Sequence, residues 1–187
     1  MTTNYIIDVK PETLDTAQSG AKAALERAKK SLGFVPNMYG GMAAVPGVLD
    51  TYLDGYNRFR ESAGFSPAEQ EIVFLAISNF NGCGYCMAAH SMIADKMSGV
   101  PAESLAALRE GRPLPDAKLE ALRAFTVRMV ESRGNPTGNE VAAFREAGYE
   151  ERHIPAIILA IAVKTLSNYS NHVFKPEVDE MFAGYKV

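Results

Sequence analysis

Both cysteines of the chain lie in one short segment together with a histidine. Cys83 and Cys86 are three residues apart, and His90 follows Cys86 by four residues. On a helix this spacing places the three side chains along one narrow stripe, with His90 beside Cys86. Two thiols about one helical turn apart can form a disulfide with modest strain, so the pattern indicates dithiol chemistry.

The surrounding residue types indicate how one thiol could be activated. A free thiol has a pKa near about 8.5 and is mostly protonated at neutral pH. The cysteine pair begins a predicted helix, whose first N–H groups favour a thiolate, and His90 can take the proton of Cys86. A histidine in this role needs a partner on its other nitrogen. We expect Glu71 on the preceding helix to supply it, because Glu69 belongs to a capping box.

Two reactions fit such a pair, and the spacing does not separate them. A Cys86 thiolate can attack a peroxide and become a sulfenic acid, which Cys83 converts to a disulfide. The pair can instead exchange disulfides with a partner. In both cases Cys83, nearer the helix start, is expected to be the more accessible sulfur and to meet an external reductant. We predict no cofactor and no metal.

Helical periodicity runs through most of the chain, and most glycines and prolines fall between the periodic segments. We find no convincing strand-like alternation. We therefore predict an all-α fold with a single domain over residues 1–187 and a redox core at about 66–99. The segment 34–37 is predicted to be a loop. Predicted helices cover about 21–31, 45–61, 67–79, 83–97, 102–109, 118–132, 138–147 and 151–174.

Composition narrows the classes of partner and compartment. The formal net charge is −3, with 47% hydrophobic and 22% charged residues. This balance, without basic runs, argues against a surface for nucleic acid or an anionic membrane. The N-terminus has neither a basic region nor a long apolar run, so we expect no signal peptide and a cytoplasmic protein. In that compartment a Cys-x-x-Cys pair is more often catalytic or metal-binding than structural.

The chemistry-bearing residues together resemble a known family. Glu71, Cys83-Gly-Tyr-Cys86 and Ala88-Ala89-His90 resemble the core of the carboxymuconolactone decarboxylase/alkylhydroperoxidase D (AhpD)-like family. The flanking segments resemble its peroxidase-related branch; they read Phe34-Val35-Pro36-Asn37, Ser66-Pro67-x-Glu69 and Ser78-Asn79-Phe80-Asn81-Gly82.

The resemblance implies an AhpD-like helical bundle that forms dimers, trimers or hexamers. It implies thiol-dependent reduction of hydroperoxides, with an external dithiol or a thioredoxin- or lipoyl-type protein as reductant. It also implies a Glu–His proton relay to the second cysteine, with the first cysteine as resolving thiol. The resemblance thus assigns the relay to Glu71 and His90, the attacking thiol to Cys86 and the resolving thiol to Cys83.

One position departs from the pattern of the alkylhydroperoxidases. Their second histidine, next to the second cysteine, is replaced here by Tyr85. A tyrosine can support the site by donating a hydrogen bond, but with a pKa near about 10 it is a poor base at neutral pH. The substitution bears on the rate and on the preferred oxidant.

Other interpretations stay open at the sequence level. The family's other activity, ring-lactone decarboxylation, needs no thiol pair, and a dithiol can also serve a non-enzymatic redox sensor or carrier. The cysteines could be small buried apolar residues, or zinc ligands with His90 and a fourth ligand such as His153, His172 or a carboxylate. We otherwise expect His153 to be a surface residue at a helix start and His172 to be partly buried in a helix or subunit contact.

Overall fold

The computed structural model describes residues 6–187, which form nine α-helices and a C-terminal 3₁₀ helix, with no strand among them. The helices are α1 (Ser19–Leu32), α2 (Asn37–Ala43), α3 (Pro46–Ser62), α4 (Pro67–Phe80), α5 (Gly84–Lys96), α6 (Ala102–Arg109), α7 (Ala117–Glu131), α8 (Gly138–Glu146) and α9 (His153–Phe174), and the 3₁₀ helix is Glu180–Tyr185. The predicted all-α class is confirmed, and eight predicted helices match within about two residues. The prediction about the N-terminal segment concerns in part residues 1–5, which lie outside the described residues.

Helix α2 and the 3₁₀ helix were not predicted from the sequence. Helix α2 carries Gly40 and Gly41, which weaken any helical signal. Both glycines lie against other parts of the chain. A Cβ at Gly40 would lie 2.8 Å from the carbonyl oxygen of Glu12, and a Cβ at Gly41 would lie 2.6 Å from the ring of Phe174. Close packing therefore stabilises a helix that local propensity does not predict.

Helix α4 is the central helix of the fold. It begins with a capping box, in which the side chains of Ser66 and Glu69 each accept a hydrogen bond from the other residue's backbone N–H. Every residue from Gln70 to Ser78 is buried, because α5, α6, α7 and α9 pack around it. A helix covered on all sides needs apolar residues all round, which explains its nearly continuous hydrophobic sequence.

The turn between α4 and α5 positions the cysteines. Gly82 has a φ of 67°, in the left-handed region that favours glycine. Cys83 then occupies the N-cap of α5, and its backbone N–H donates to the carbonyl of Ser78 at 3.0 Å. The first cysteine thus lies at the entrance of the helix and the second within its first turn.

Helix α9 contributes a buried polar face to the same region. Lys164, Ser167, Asn168 and Asn171 follow helical spacing and are all buried. After α9 the chain turns at Lys175, and the 3₁₀ helix packs against α5. Across residues 6–187 we find no helix with the length and apolar character needed to cross a membrane.

Candidate active site

Glu71 and His90 are hydrogen-bonded in the buried interior between α4 and α5. Glu71 is fully buried, and its Oε2 lies 2.8 Å from Nδ1 of His90. Its other oxygen accepts a hydrogen bond from Arg60, which also donates to the Tyr56 hydroxyl at 2.7 Å. Glu71 is therefore held by two partners, one of them a cation.

This arrangement fixes the charges of the buried acid and base. Burial raises the pKa of Glu71, but His90 and Arg60 outweigh it, so the carboxyl has a lowered pKa and is ionised. Burial and the nearby Lys164 charge lower the pKa of His90, although Glu71 opposes them. His90 is thus neutral at neutral pH and can accept a proton.

The two sulfurs lie side by side as free thiols with a shared partner. Asn171 places its Nδ2 3.3 Å from Sγ of Cys86 and 3.5 Å from Sγ of Cys83. The Sγ of Cys86 also lies 3.9 Å from the Ser167 hydroxyl. One amide group therefore spans the pair and is correctly oriented to donate to a thiolate.

The environments of the two thiols push their pKa values in opposite directions. Burial raises the pKa of Cys86, but the hydrogen bond from the Cys83 thiol and the Lys164 charge hold it well below its usual value. The pKa of Cys83 is raised by its hydrogen bond to Cys86 and by burial. Cys86 is therefore the sulfur that ionises first, which is the property of an attacking thiolate.

A pocket of about 650 Å³ opens beside Cys86, and its lining includes His90, Tyr85 and Lys164. Cys83 is not among the lining residues. Apolar and aromatic side chains make up most of the wall, among them Phe34, Met38, Tyr39, Tyr52, Met92 and Phe182. An apolar cavity with a few polar groups at one end is typical of a small-molecule site.

Two geometric expectations need correction. The predicted accessibility of Cys83 is not borne out, because both residues are nearly fully buried, with 2% of Cys83 and 1% of Cys86 exposed, and Cys86, not Cys83, lines the pocket. Among residues 6–187, His90 makes no hydrogen bond to either sulfur. Cys86 and His90 instead line the same pocket, so a proton can pass between them through a molecule seated there.

Tyr85 turns out to contact the C-terminal segment. Its hydroxyl donates to Asp179, and its ring packs edge-on against Phe182 with centroids 6.3 Å apart. Burial and Asp179 raise its pKa, so it stays protonated at neutral pH. Tyr85 therefore connects the cysteine segment to the end of the chain.

The two remaining histidines lie elsewhere, and both were misjudged from sequence. His153 is buried instead of exposed, since its ring packs on Phe65 with centroids 4.6 Å apart and bonds to the backbone at Glu150. His172 is exposed in the single chain instead of partly buried within it, and a subunit contact at this residue stays a prediction. Within the described part of the chain, no cluster of three or more His, Cys, Asp or Glu side chains has the arrangement of a metal site.

Three polar groups at the site were missed by the sequence analysis: Lys164, Ser167 and Asn171. They lie about eighty residues after the cysteines, on a helix that is predicted mainly from the spacing of its isoleucines. A lone lysine at the end of the apolar run that begins at Ile154 is the signal that could have drawn attention to them.

The segment that holds these residues matches a known protein family. Residues 46–127 match the carboxymuconolactone decarboxylase family model. The match includes Glu71, both cysteines and His90, and it confirms the family resemblance seen in the motif. No curated protein sequence matches the chain significantly.

Solved structures share the fold over nearly the whole chain. The alkylhydroperoxidase AhpD core, an uncharacterized peroxidase-related protein from Ralstonia eutropha JMP134, is 19% identical with a TM-score of 0.80, covering 95% of this chain and 94% of that one. An uncharacterized peroxidase-related protein from Silicibacter sp. TM1040 is 21% identical with a TM-score of 0.78, covering 96% and 94%. A variant of the debrominase Bmp8 in complex with 2,3,4-tribromopyrrole is 16% identical with a TM-score of 0.76, covering 97% of each chain. The AhpD-like fold is thereby confirmed.

Proposed function

We propose that the protein is a thiol peroxidase that reduces hydroperoxides by a dithiol–disulfide cycle. The observation that carries the proposal is the buried Cys86, which has a lowered pKa, opens on an apolar pocket and lies beside Cys83. A second thiol bridged to the first by Asn171 gives the product of the first step an immediate partner. The fold also supports the proposal, since it is shared with peroxidase-related proteins.

The cycle has two steps in the protein. The Cys86 thiolate attacks the distal oxygen of a hydroperoxide, forming an S–O bond and breaking the O–O bond, and the leaving alkoxide takes up a proton to become an alcohol. Cys83 then attacks the sulfenic sulfur of Cys86, and its thiol proton leaves with the hydroxyl as water. An external dithiol reduces the resulting disulfide by exchange and returns both thiols.

His90 and Glu71 handle the proton in this scheme. Neutral His90 takes the proton of Cys86 through a hydroxylic molecule in the pocket and passes it to solvent, and in the attack it returns a proton to the alkoxide by the same path. Glu71 holds the Nδ1–H of the ring and stabilises the imidazolium that forms transiently. Arg60 keeps Glu71 ionised for this purpose.

Consumption of cumene hydroperoxide with dithiothreitol as reductant tests the proposal. The unaltered protein should consume peroxide over many turnovers, whereas Cys86→Ser should lose all turnover. Without dithiothreitol, which can reduce a sulfenic acid directly, Cys83→Ser should lose the disulfide step and react with one equivalent of peroxide. Retention of full turnover by Cys86→Ser would overturn the assignment of the attacking thiol.

The same assay separates the other functional classes. A redox sensor or dithiol carrier would become oxidised by peroxide slowly, without sustained turnover at low protein concentration. A ring-lactone decarboxylase would not consume peroxide, and neither cysteine variant would affect its reaction. Matched Ser19→Ala protein, altered at an exposed serine at the start of α1 that does not line the pocket, serves as the control for expression and handling.

Reductive dehalogenation is a second candidate. The Bmp8 structure that shares this fold contains a bromopyrrole, and the pocket here has an aromatic wall suited to a flat ring. A dithiol could convert a carbon–bromine bond to carbon–hydrogen, with both thiols oxidised to a disulfide and bromide and a proton released. Bromide release from tribromopyrrole with dithiothreitol, measured beside peroxide consumption, decides between the two substrates.

A further inference from the structure

Lys164 is a buried cation without a partner. Its side chain is nearly fully buried on α9, and its Nζ has no hydrogen-bond acceptor among residues 6–187. The Nζ lies over the face of the Phe74 ring, 5.4 Å from its centroid, which is a cation–π distance. A buried ammonium group without an anion is costly, so such a position is rarely kept without a role.

The charges around Lys164 do not balance while Cys86 is a thiol. Glu71 carries one negative charge and Arg60 one positive charge, and these two are paired with each other. Lys164 then leaves the buried layer between α4, α5 and α9 with one positive charge in excess. Loss of one proton from Cys86 restores neutrality, because the pKa of His90 is lowered and the ring is neutral.

The other ionisable groups near Cys86 do not supply the missing anion. The hydroxyls of Tyr52 on α3 and Tyr85 on α5 are protonated, since their pKa values are raised, and so is the Cys83 thiol. Asp179 in the C-terminal segment is occupied by the hydroxyl of Tyr85 and by the backbone N–H of Asn37. The anion that Lys164 lacks is therefore the sulfur that shares its pocket.

We propose that Lys164 is the counter-ion of the Cys86 thiolate, and that the buried polar face of α9 is the surface that holds this anion. Asn171 donates to the sulfur and Ser167 lies beside it, while Lys164 supplies the charge. Lys164 acts through Cys86 and not on the substrate, so it is a positioning residue. The use of the thiolate rests on the proposed function. The inference itself concerns only the ionisation of Cys86.

Alkylation of Cys86 by iodoacetamide as a function of pH tests this role without any peroxide. In a Cys83→Ser background, Lys164→Met should raise the pH midpoint of alkylation by about one to three units. The rate at the high-pH plateau should stay within about twofold, because the site itself is intact. Lys22→Met, at an exposed position of α1, is the control and should leave the midpoint unchanged.

An unchanged midpoint in Lys164→Met, or a lowered plateau with the same midpoint, would overturn the proposal. A double-mutant cycle in urea gives a second test, in which Lys164→Met should cost less stability with Cys86→Ser than with Cys86 present. A Lys164→Met protein that fails to fold in both backgrounds also contradicts the role, because a thiolate counter-ion is dispensable once the thiol is gone. A shifted midpoint without peroxide turnover would keep this inference and reject the peroxidase.

Discussion

At the scale of single residues, the site depends on a carboxylate that serves two partners. Glu71 accepts from Arg60 with one oxygen and pairs with His90 through the other. The Arg60 pair keeps Glu71 ionised, and the His90 pair fixes which ring nitrogen faces the pocket. A motif with one acid and one histidine therefore works here through a third residue, Arg60, that the motif does not contain.

We expect His90→Gln to slow the reaction of Cys86 with peroxide by roughly a hundredfold at neutral pH, since general base catalysis typically contributes at least that much. The deficit should be largest at low pH, where Cys86 is protonated, and should shrink as the pH rises and the thiol ionises without help. Because burial lowers the pKa of His90, the unaltered protein should keep this base in its active form to below about pH 6.5. Stopped-flow pH–rate profiles measure both effects.

The exposed His172 on α9 offers a matched control. His172→Gln should follow the unaltered protein at every pH. An identical pH profile for His90→Gln and the unaltered protein would remove His90 from the proton relay.

Glu71→Gln should lower the free energy of unfolding by about 1–3 kcal/mol at pH 7, because Arg60 keeps its charge and loses a buried partner while retaining some exposure. The pKa of Glu71 is lowered in the fold, so its contribution is complete above the ordinary value of 4.5 and is lost as the pH falls through the folded-state pKa. Urea unfolding at several pH values should therefore show that the difference in free energy of unfolding between Glu71→Gln and the unaltered protein becomes smaller in acid.

The exposed Glu26 on α1 gives the matched substitution for this experiment. Glu26→Gln should change the stability by less than about 0.5 kcal/mol. A pH-independent deficit in Glu71→Gln would show that the loss comes from packing and not from charge.

At the scale of secondary-structure elements, the predictions from sequence succeeded where local signals were strong. Ser66 and Pro67 predict the start of α4, and the Asn81-Gly82 pair predicts its end. Helix α2 was missed because Gly40 and Gly41 are selected by close packing, which no local rule detects. The buried polar face of α9 was missed because spacing does not say which face meets a helix about eighty residues away.

The C-terminal segment is the element whose role in the site was least predictable. Its residues Met181 and Phe182 line the pocket, and Asp179 is bound by Tyr85. Arg109 on α6 further donates to the backbone carbonyl of Tyr185 at 2.8 Å. The segment thus covers one side of the pocket through a few polar contacts.

Tyr85→Phe should loosen this segment, since the hydroxyl that Asp179 accepts is removed. Backbone amide exchange should become faster across residues 176–187, and alkylation of Cys86 should become faster because the pocket is covered less of the time. Mass-spectrometric hydrogen exchange and thiol alkylation measure the two effects. Tyr169→Phe, at an exposed position of α9, should change neither, and unaltered exchange in Tyr85→Phe would contradict the covering role.

At the scale of the whole molecule, the fold class, the family resemblance and the acid–histidine pair could be predicted from sequence, because the motif is short and its spacing is helical. The burial of both thiols and the unpaired lysine could not, because they depend on how α9 packs. The single domain, the cytoplasmic location and the reductant remain predictions.

Association of copies is also a prediction at this scale. Large apolar side chains are exposed at several places, including Phe80, Met97 and Ile158, with 74% of Met97 exposed. Such side chains commonly become buried between subunits. Light scattering should therefore give a mass of two, three or six times 20.3 kDa, whereas a mass of 20.3 kDa at micromolar concentration would contradict the expected homo-oligomer.

The location of the first transferred oxygen tests the central claim most directly. Cys83→Ser protein is mixed with one equivalent of cumene hydroperoxide and dimedone, and the modified residue is identified by peptide mass spectrometry. We predict a dimedone adduct on Cys86 in nearly all molecules, and no adduct on Cys83 in the Cys86→Ser counterpart. An adduct on Cys83, or none on either sulfur, would contradict the account.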